Sequence, residues 1–167
     1  MAPRAIANLT GIAMVLGVVT ADASELVANP DFADGKRDWW TTSNLTSRIS
    51  ADGLFCADVP GGTANPWDVI IGQDGIRLDE GKAYRFTYTA SGEPGGPVRA
   101  LVQMPTEPYT FYVELNDMAG PQSSTSQRVF VSPETRSDAQ VVLQLGGNAE
   151  PWTACFELVS LDTDADA

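Results

Sequence analysis

The sequence predicts an all-β fold, either a β-sandwich or a β-barrel, from three observations. Apolar and polar residues alternate with a period of two in several short runs. Helical periodicity is scarce along the chain. Segments rich in glycine and proline, such as those at 93–97 and 119–121, separate the alternating runs. About eight short strands divided by such turns are typical of sandwiches and barrels.

The predicted strands follow one another at short intervals. The clearest is 83–90, where aromatic residues occupy one face and Arg85, Thr87 and Thr89 occupy the other. The full set of expected strands is 54–59, 68–73, 83–90, 98–103, 109–115, 128–131, 140–145 and 155–161. The sequence contains no internal repeat, and its length is typical of one domain.

The two ends of the chain differ from the middle. An apolar run at 11–19 precedes Ala21-Asp-Ala23, which has the small-x-small pattern of a signal-peptidase site. This run is too short to span a bilayer, and the alternative is an apolar helix retained in the fold. The predicted organisation is a signal peptide at 1–23, one sandwich domain at 24–162 and an acidic tail at 163–167.

The charge and the composition argue against several classes of function. The chain has 22 acidic and 10 basic residues, a net charge of −12. Such a surface repels phosphate backbones and anionic lipids, so neither nucleic acid nor a membrane is expected as a partner. The sequence contains no histidine, which excludes Ser-His-Asp and Cys-His catalysis and histidine-ligated zinc. No catalytic cofactor is therefore expected.

The two cysteines are Cys56 and Cys155. In a secreted chain an even number of cysteines indicates a disulfide. This bridge would join an early strand to the last one, and two buried free thiols are the alternative.

Two predicted strands carry flat polar side chains opposite an apolar face. In 98–103, Arg99 lies opposite Val98 and Val102, and in 140–145 the side chains of Gln140 and Gln144 share one face. Arginine and glutamine are planar groups with several hydrogen-bonding atoms, which suits rows of sugar hydroxyls. This pattern indicates a sandwich that binds a ligand on one sheet.

Aromatic residues near strand ends are candidates for stacking against sugar rings, whose C–H faces are apolar. The candidates are Trp40, Trp67, Tyr109, Tyr112 and Trp152. The alternative is that these aromatics belong to the core, which is the expectation for Trp39 because it follows the turn Asp34-Gly35.

Six segments, taken in order, resemble the carbohydrate-binding modules of the family 4/9 group. They are ELVANPDFADG (25–35), LFCADVPGGTANPWDV (54–69), EGKAYRFTY (80–88), VRALV (98–102), EPY (107–109) and LQLGG followed by WTAC (143–155). The resemblance extends over 25–162 and is greatest to the glucan-binding modules of bacterial endoglucanases. It implies a jelly-roll β-sandwich with a cleft across one sheet, and often a disulfide and a structural calcium ion.

The resemblance also implies roles for individual residues. Arg99, Gln140 and Gln144 would bond hydroxyls in the cleft, and Tyr109 would stack on a sugar. A cleft asparagine of the family corresponds to Gln73 or Asp74 in this chain. A second stacking tyrosine of the family is missing here, and Trp40 is the candidate replacement. Calcium ligands of such modules correspond to Asp31, Gly53 and Glu157, where glutamate keeps carboxylate oxygens but changes their reach.

The resulting prediction is a secreted, non-catalytic module that binds a β-glucan chain, with β-1,4-glucan favoured and β-1,3-glucan, mixed-linkage glucan and xylan left open. The expected partners are a polysaccharide and a separate glycoside hydrolase. One alternative is a small glycoside hydrolase using two carboxylates, although no acid/base motif is recognisable. The other is a structural or adhesive surface protein built on the same sandwich.

Overall fold

The computed structural model describes residues 23–163, and these residues form ten β-strands and one short 3₁₀ turn, Pro66–Asp68. The strands are β1 Trp40–Thr41, β2 Thr46–Ile49, β3 Phe55–Val59, β4 Ile70–Leu78, β5 Ala83–Glu93, β6 Gly96–Gln103, β7 Phe111–Ala119, β8 Ser124–Val131, β9 Arg136–Gln144 and β10 Trp152–Thr163. Most of the predicted signal peptide, and the last four residues of the predicted acidic tail, lie outside the described residues.

The strands make two antiparallel sheets of five strands each. The front sheet has the order β1-β4-β9-β6-β7, and the back sheet has the order β2-β3-β10-β5-β8. The predicted β-sandwich is therefore confirmed, and the barrel alternative is wrong, because the two sheets pack face to face instead of closing. No helix within residues 23–163 is long and apolar enough to cross a membrane.

The core lies between the sheets and is built by alternation along each strand. Val98, Ala100 and Val102 of β6 are buried, as are Val141 and Leu143 of β9. The back sheet contributes the aromatic residues Tyr84, Phe86, Tyr88 and Phe156. Trp39 is buried in the same core, as predicted, and its ring centroid lies 5.5 Å from that of Phe32. Since the apolar face of every central strand is used in this core, the alternate side chains face outward.

The disulfide joins two neighbouring strands of the back sheet. Cys56 of β3 and Cys155 of β10 are direct register partners, and their sulfurs are 2.05 Å apart. The prediction of this bridge is confirmed, and the free-thiol alternative is wrong. The cysteines are 99 residues apart in the chain. Closing a loop of that length contributes about 4–5 kcal/mol in the chain-entropy model.

The ends of the described chain are tied together at the back sheet. The Ser24 backbone N–H donates to the Thr163 hydroxyl at 2.9 Å, and the Thr163 N–H donates to the Ser24 carbonyl at 3.0 Å. Glu25 accepts hydrogen bonds from the Leu26, Val27 and Leu161 backbone N–H groups. The first residue of the predicted tail, Thr163, thus belongs to β10.

Candidate functional site

The outer face of the front sheet carries a cleft of about 710 Å³. It contains six of the seven predicted ligand-binding residues, namely Trp40, Trp67, Arg99, Tyr109, Gln140 and Gln144. These residues come from three strands, β1, β6 and β9, and from two connecting segments. The cleft is therefore a product of the tertiary fold, and the seventh predicted residue, Asp74, lies at its margin.

The middle of the cleft floor is apolar. Val142 of β9 is the register partner of Gly72 on β4 and of Leu101 on β6. Both Val142 and Leu101 line the cleft. These partners belong to three adjacent strands, so this apolar row runs across the strands.

Polar side chains flank the apolar row on both sides. Arg99 and Gln144 are register partners on one side, and Gln103 and Gln140 are partners on the other. Residues two apart on a strand are separated by about 7 Å, so the two polar rows are about 13 Å apart. Gln144 and Gln103 are only 5% and 7% exposed. The amide oxygen of Gln144 also accepts a hydrogen bond from Arg99, so its side chain is oriented before any ligand arrives.

Trp40 extends the apolar row at the β1 edge. Its register partner is Gly72, and a β-carbon added at Gly72 would lie 2.3 Å from Cζ2 of the indole. The ring therefore lies directly against the glycine backbone, which no other residue would allow. The Trp40 Nε1 is buried and has no hydrogen-bond partner among the described residues. This arrangement leaves the face of the indole ring, and not the buried N–H, available to a ligand.

Arg99 is fixed by a polar network. Its Nε donates to Glu114 Oε1 at 2.6 Å, and its Nη1 donates to Gln144 Oε1 at 2.9 Å. The guanidinium carbon also lies 5.8 Å from the ring centroid of Phe111, within the range of a cation–π contact. The hydrogen bond from Arg99 holds the pKa of Glu114 below its usual range. Glu114 is therefore a positioning residue for the predicted binding residue.

The opposite flank depends on Asp74. Its carboxylate accepts a hydrogen bond from Gln140 Nε2 at 2.6 Å. Gln73, the alternative candidate for this position, is committed elsewhere, because its amide exchanges two hydrogen bonds with the Ala28 backbone at 2.7 and 2.8 Å. Asp74 thus orients Gln140, and Gln73 anchors the N-terminal segment.

Tyr109 lies in the loop between β6 and β7. Its backbone has a φ of +54°, a left-handed conformation that large side chains seldom adopt. The Tyr109 N–H donates to the Thr106 carbonyl at 2.8 Å, which closes the turn. The side chain is 51% exposed at the edge of the cleft. A strained, exposed aromatic residue is more common at functional sites than elsewhere.

Trp67 belongs to the 3₁₀ turn and is 54% exposed. The Asp68 carboxylate accepts hydrogen bonds from the Ala64 and Asn65 backbone N–H groups at 3.1 and 2.9 Å. The turn also packs against Gly146, where an added β-carbon would lie 2.4 Å from the Asn65 carbonyl oxygen. Trp67 is therefore presented by an ordered turn at the cleft.

The comparison with known families agrees with this geometry. A family model described as a carbohydrate binding domain, of the 4/9 group, matches residues 24–154. The chain belongs to this family. The resemblance inferred from the six sequence segments is thereby confirmed, and the chain is a carbohydrate-binding module, a non-catalytic kind of domain. The hydrolase alternative is not supported.

Relatives of the module include an enzyme and several solved domains. Endoglucanase C of Cellulomonas fimi is 32% identical over 147 residues, which cover 84% of this chain and 13% of that protein. A solved CBM4 domain has a TM-score of 0.72 at 27% identity and covers 80% of this chain and 99% of its own. The second N-terminal cellulose-binding domain of Cellulomonas fimi β-1,4-glucanase C has a TM-score of 0.68 at 31% identity, covering 86% of this chain and 97% of its own.

The residues predicted to hold calcium lie outside the cleft of the module. Asp31 and Glu157 are exposed, and Gly53 lies in a turn with a φ of +83°. The Val159 N–H donates to the Pro30 carbonyl at 2.9 Å, which brings the segment before Asp31 to β10. Residues 23–163 contain no cluster of three acidic, cysteine or histidine side chains that could hold a metal. The donor set fits calcium only if backbone carbonyl oxygens contribute, which calcium accepts.

Two aromatic candidates do not serve the module as platforms. Trp152 is buried against Gly96, where an added β-carbon would lie 2.2 Å from its ring. Tyr112 packs on the core, and its hydroxyl donates to Glu134 Oε1 at 2.5 Å. Burial, followed by this hydrogen bond, raises the pKa of Tyr112 to about 12. For both, the alternative that they belong to the core was the better one.

The cleft also contains residues that sequence reasoning missed. Phe111 and Gln103 line it, Gly72 seats Trp40, and Glu114 holds Arg99. Two of them had a sequence signal. A lone glycine inside a strand pattern indicates a close approach of another group. Glu114 alternates with Val113 and Leu115 in the predicted strand 109–115, which places it on the outer face.

Proposed function

We propose that the module binds a single β-glucan chain, with β-1,4-glucan favoured, and that the chain lies across the strands of the front sheet. The observation that carries this proposal is the apolar row flanked by two polar rows. A β-linked pyranose chain has the complementary form, because its ring faces are lined by C–H groups and its edges by hydroxyls. One relative at 31% identity is a cellulose-binding domain, which supports the preference for β-1,4-glucan.

Each group in the cleft has a role in this arrangement. Trp40 and Tyr109, at opposite edges of the sheet, stack on sugar rings. Arg99 and Gln144 bond the hydroxyls at one edge of the chain, and Gln140 bonds those at the other. Because Arg99 and Gln144 are already bonded to each other, little side-chain entropy is lost when a sugar binds. Trp67 adds a platform at the Arg99 side of the cleft.

We infer that the module acts outside the cell and close to a glycoside hydrolase. The Cys56–Cys155 disulfide supports an oxidising compartment. The chain spans only 13% of the endoglucanase that it resembles, so the enzyme activity belongs to that protein. Binding to the polysaccharide would hold an associated or neighbouring hydrolase near its substrate.

Calorimetric titration with cello-, laminari- and xylo-oligosaccharides tests the proposal. Tyr109→Ala should weaken binding by about 1–3 kcal/mol, by analogy with aromatic platforms that stack on bases. Gln144→Ala should weaken it by about 0.5–1.5 kcal/mol, the value of a lost hydrogen bond. Thr89→Ala on the back sheet is the control, because the Thr89 hydroxyl shares a hydrogen bond with Thr125 and lies on the sheet opposite the cleft. If both cleft variants fold and bind every ligand as tightly as the wild type, the site lies elsewhere.

We also propose that a calcium ion, held by Asp31, Gly53 and Glu157, stabilises the fold without touching the sugar. The exposed carboxylates and the position of these residues away from the cleft support this role. EDTA should lower the melting temperature of the wild type and have less effect on Glu157→Gln, with sugar affinity unchanged. An unchanged melting temperature would show that no calcium is bound. Loss of sugar binding with the fold intact would show that the ion serves the site.

A further inference from the structure

A second cavity adjoins the cleft beyond the Arg99–Gln144 row. It has a volume of about 320 Å³, and Arg99 and Gln144 line both it and the cleft. We call it the side hollow; its other principal residues are Pro66, Pro97, Asn116, Asp117, Met118 and Gly146. A ligand in the cleft that contacts Arg99 could therefore extend past Arg99 into this second cavity.

The side hollow forms because two strands part. β6 and β9 are paired as far as Arg99 and Gln144, after which β6 keeps only its pairing with β7. The chain beyond β9 turns away, and the Gly146 N–H donates to the Pro66 carbonyl at 3.0 Å. Gly146 has no side chain to fill the gap. The hollow is thus a fixed consequence of the fold.

The lining of the side hollow combines apolar and polar groups. Met118 is 72% exposed, and it is the register partner of Pro97. An exposed methionine is unusual, and its flexible side chain adapts to irregular apolar surfaces. Asn116, the register partner of Arg99, is exposed beside it. This combination of a C–H surface with an amide suits a sugar ring better than a purely apolar group.

The charge of the side hollow favours a neutral ligand. Asp117 also lines it, but its carboxylate is directed toward the back sheet, where it accepts a hydrogen bond from the Tyr88 hydroxyl at 2.5 Å. Arg99 is the cation among the described residues that line the hollow, and Glu114 already pairs with it at 2.6 Å. The net charge of the chain is −12. An acidic sugar would therefore meet repulsion without a free cation to offset it.

We propose that the side hollow receives a neutral, single-sugar branch attached to the edge of the bound glycan. This inference rests on the proposed function, because it needs the main chain to lie along the apolar row. Ring-edge oxygens of that chain then face Arg99 and Gln144, and a sugar attached to such an oxygen extends into the hollow. Met118 and Pro97 contact its C–H surface, and Asn116 bonds a hydroxyl. The ligand class is thus a decorated β-glucan.

The test compares a linear cello-oligosaccharide with a xyloglucan oligosaccharide that has the same backbone and neutral xylosyl branches. The wild type should bind the branched ligand at least as tightly as the linear one. The double variant Pro97→Ala/Met118→Ala, which leaves the Arg99–Glu114 pair untouched, should lose roughly three- to tenfold in affinity for the branched ligand and keep its affinity for the linear one. Val131→Ala is the matched control, because Val131 is an exposed apolar residue of the back sheet.

The outcomes separate this inference from the proposed function. If the linear ligand binds and the branched one is excluded, or if the double variant weakens both equally, the side hollow is not a branch site. If neither of these ligands binds but laminari-oligosaccharides do, the branch-site inference is overturned, whereas glucan binding in the cleft stands. If no glucan binds, the proposed function is wrong and the inference fails with it.

Discussion

The outer faces of the two sheets follow the same alternation but have different chemistry. The front sheet presents an apolar row between planar amides and a guanidinium, with aromatic residues at its edges. The back sheet presents the disulfide, hydroxyls such as the Thr89–Thr125 pair, and the exposed ion pair Arg48–Asp58 at 2.7 Å. The front face has a cleft with side chains that are already hydrogen-bonded, whereas the back face is a solvated surface that carries a disulfide.

The contrast shows what makes a sheet face into a site. Alternation alone decides only which side chains point outward. Loops and edge strands add the rest, since Trp40, Trp67 and Tyr109 all lie at the margins of the front sheet. The candidate cleft and the disulfide are thereby placed on opposite sides of the same core, so variants on one face should leave the property of the other unchanged.

The largest expected effect is on the back sheet. Replacing both cysteines, Cys56→Ala with Cys155→Ala, should lower the free energy of unfolding by about 4 kcal/mol, because the bridge closes a loop across most of the domain. Affinity for the oligosaccharide should stay unchanged, since the bridge faces away from the cleft. Urea unfolding and calorimetry on the same samples measure the two quantities. A folded double variant with reduced affinity would mean that the two faces are coupled.

An intermediate effect is expected where Trp40 lies on Gly72. Gly72→Ala adds a methyl group at 2.3 Å from the indole, so the ring must move. We expect binding to weaken by about 1–3 kcal/mol, the value of one stacking platform. Gly120→Ala is the matched control, because an added β-carbon there meets no atom within 4 Å. Wild-type affinity in a folded Gly72→Ala variant would remove Trp40 from the site.

The smallest effects on binding and stability are expected from two ion pairs, one on the outer face of each sheet. Glu114→Gln frees Arg99 in the cleft, and we expect it to weaken binding by about 1 kcal/mol. Asp58→Asn breaks Arg48–Asp58, whose side chains are about half exposed, and should change stability by less than about 0.5 kcal/mol with no effect on binding. Titration of both variants against the wild type decides this. If Glu114→Gln and Asp58→Asn weakened binding equally, the two faces would not differ in their role in binding.

The two ion pairs also predict how the affinity for the oligosaccharide depends on pH. Hydrogen bonds from arginine lower the pKa of both Glu114 and Asp58. A carboxylate with a lowered pKa in the folded state stabilises that state above its ordinary pKa, and the contribution is lost as the pH falls through the lowered value. Affinity should therefore be constant near neutral pH and fall only below about pH 4. In Glu114→Gln this acid-induced loss should be smaller, whereas Asp58→Asn should retain it.

Much of the fold could be predicted, because the alternation of apolar and polar residues along a strand indicates directly which side chains are buried. The faces of β6 and β9, including Arg99, Gln140 and Gln144, are where alternation placed them. The predicted strand bounds were less accurate next to residues with a positive φ. The expected strand 109–115 begins only at Phe111, since Tyr109 has a positive φ. The short edge strands β1 and β2 were missed, because two to four residues are too few to show a period.

The site was only partly predictable, because its geometry depends on contacts between distant segments. The sequence does not reveal that Trp40 lies on Gly72, or that Trp152 lies on Gly96 in the interior. Both are tryptophans packed on glycines, but Gly72 lies on the outer face of the front sheet with Val142, whereas Gly96 shares the core face of β6 with Val98. The choice between Gln73 and Asp74 likewise depended on Ala28, which is 45 residues away from Gln73.

The meeting of Ser24 with Thr163 has a consequence for handling this domain. Because its two ends are hydrogen-bonded to each other at the back sheet, a short linker could join them without straining the sandwich. The chain could then be reopened at an exposed turn such as Glu80-Gly81, giving a circular permutant. The same proximity would let the module be spliced into a surface loop of a host protein, with its front sheet turned outward.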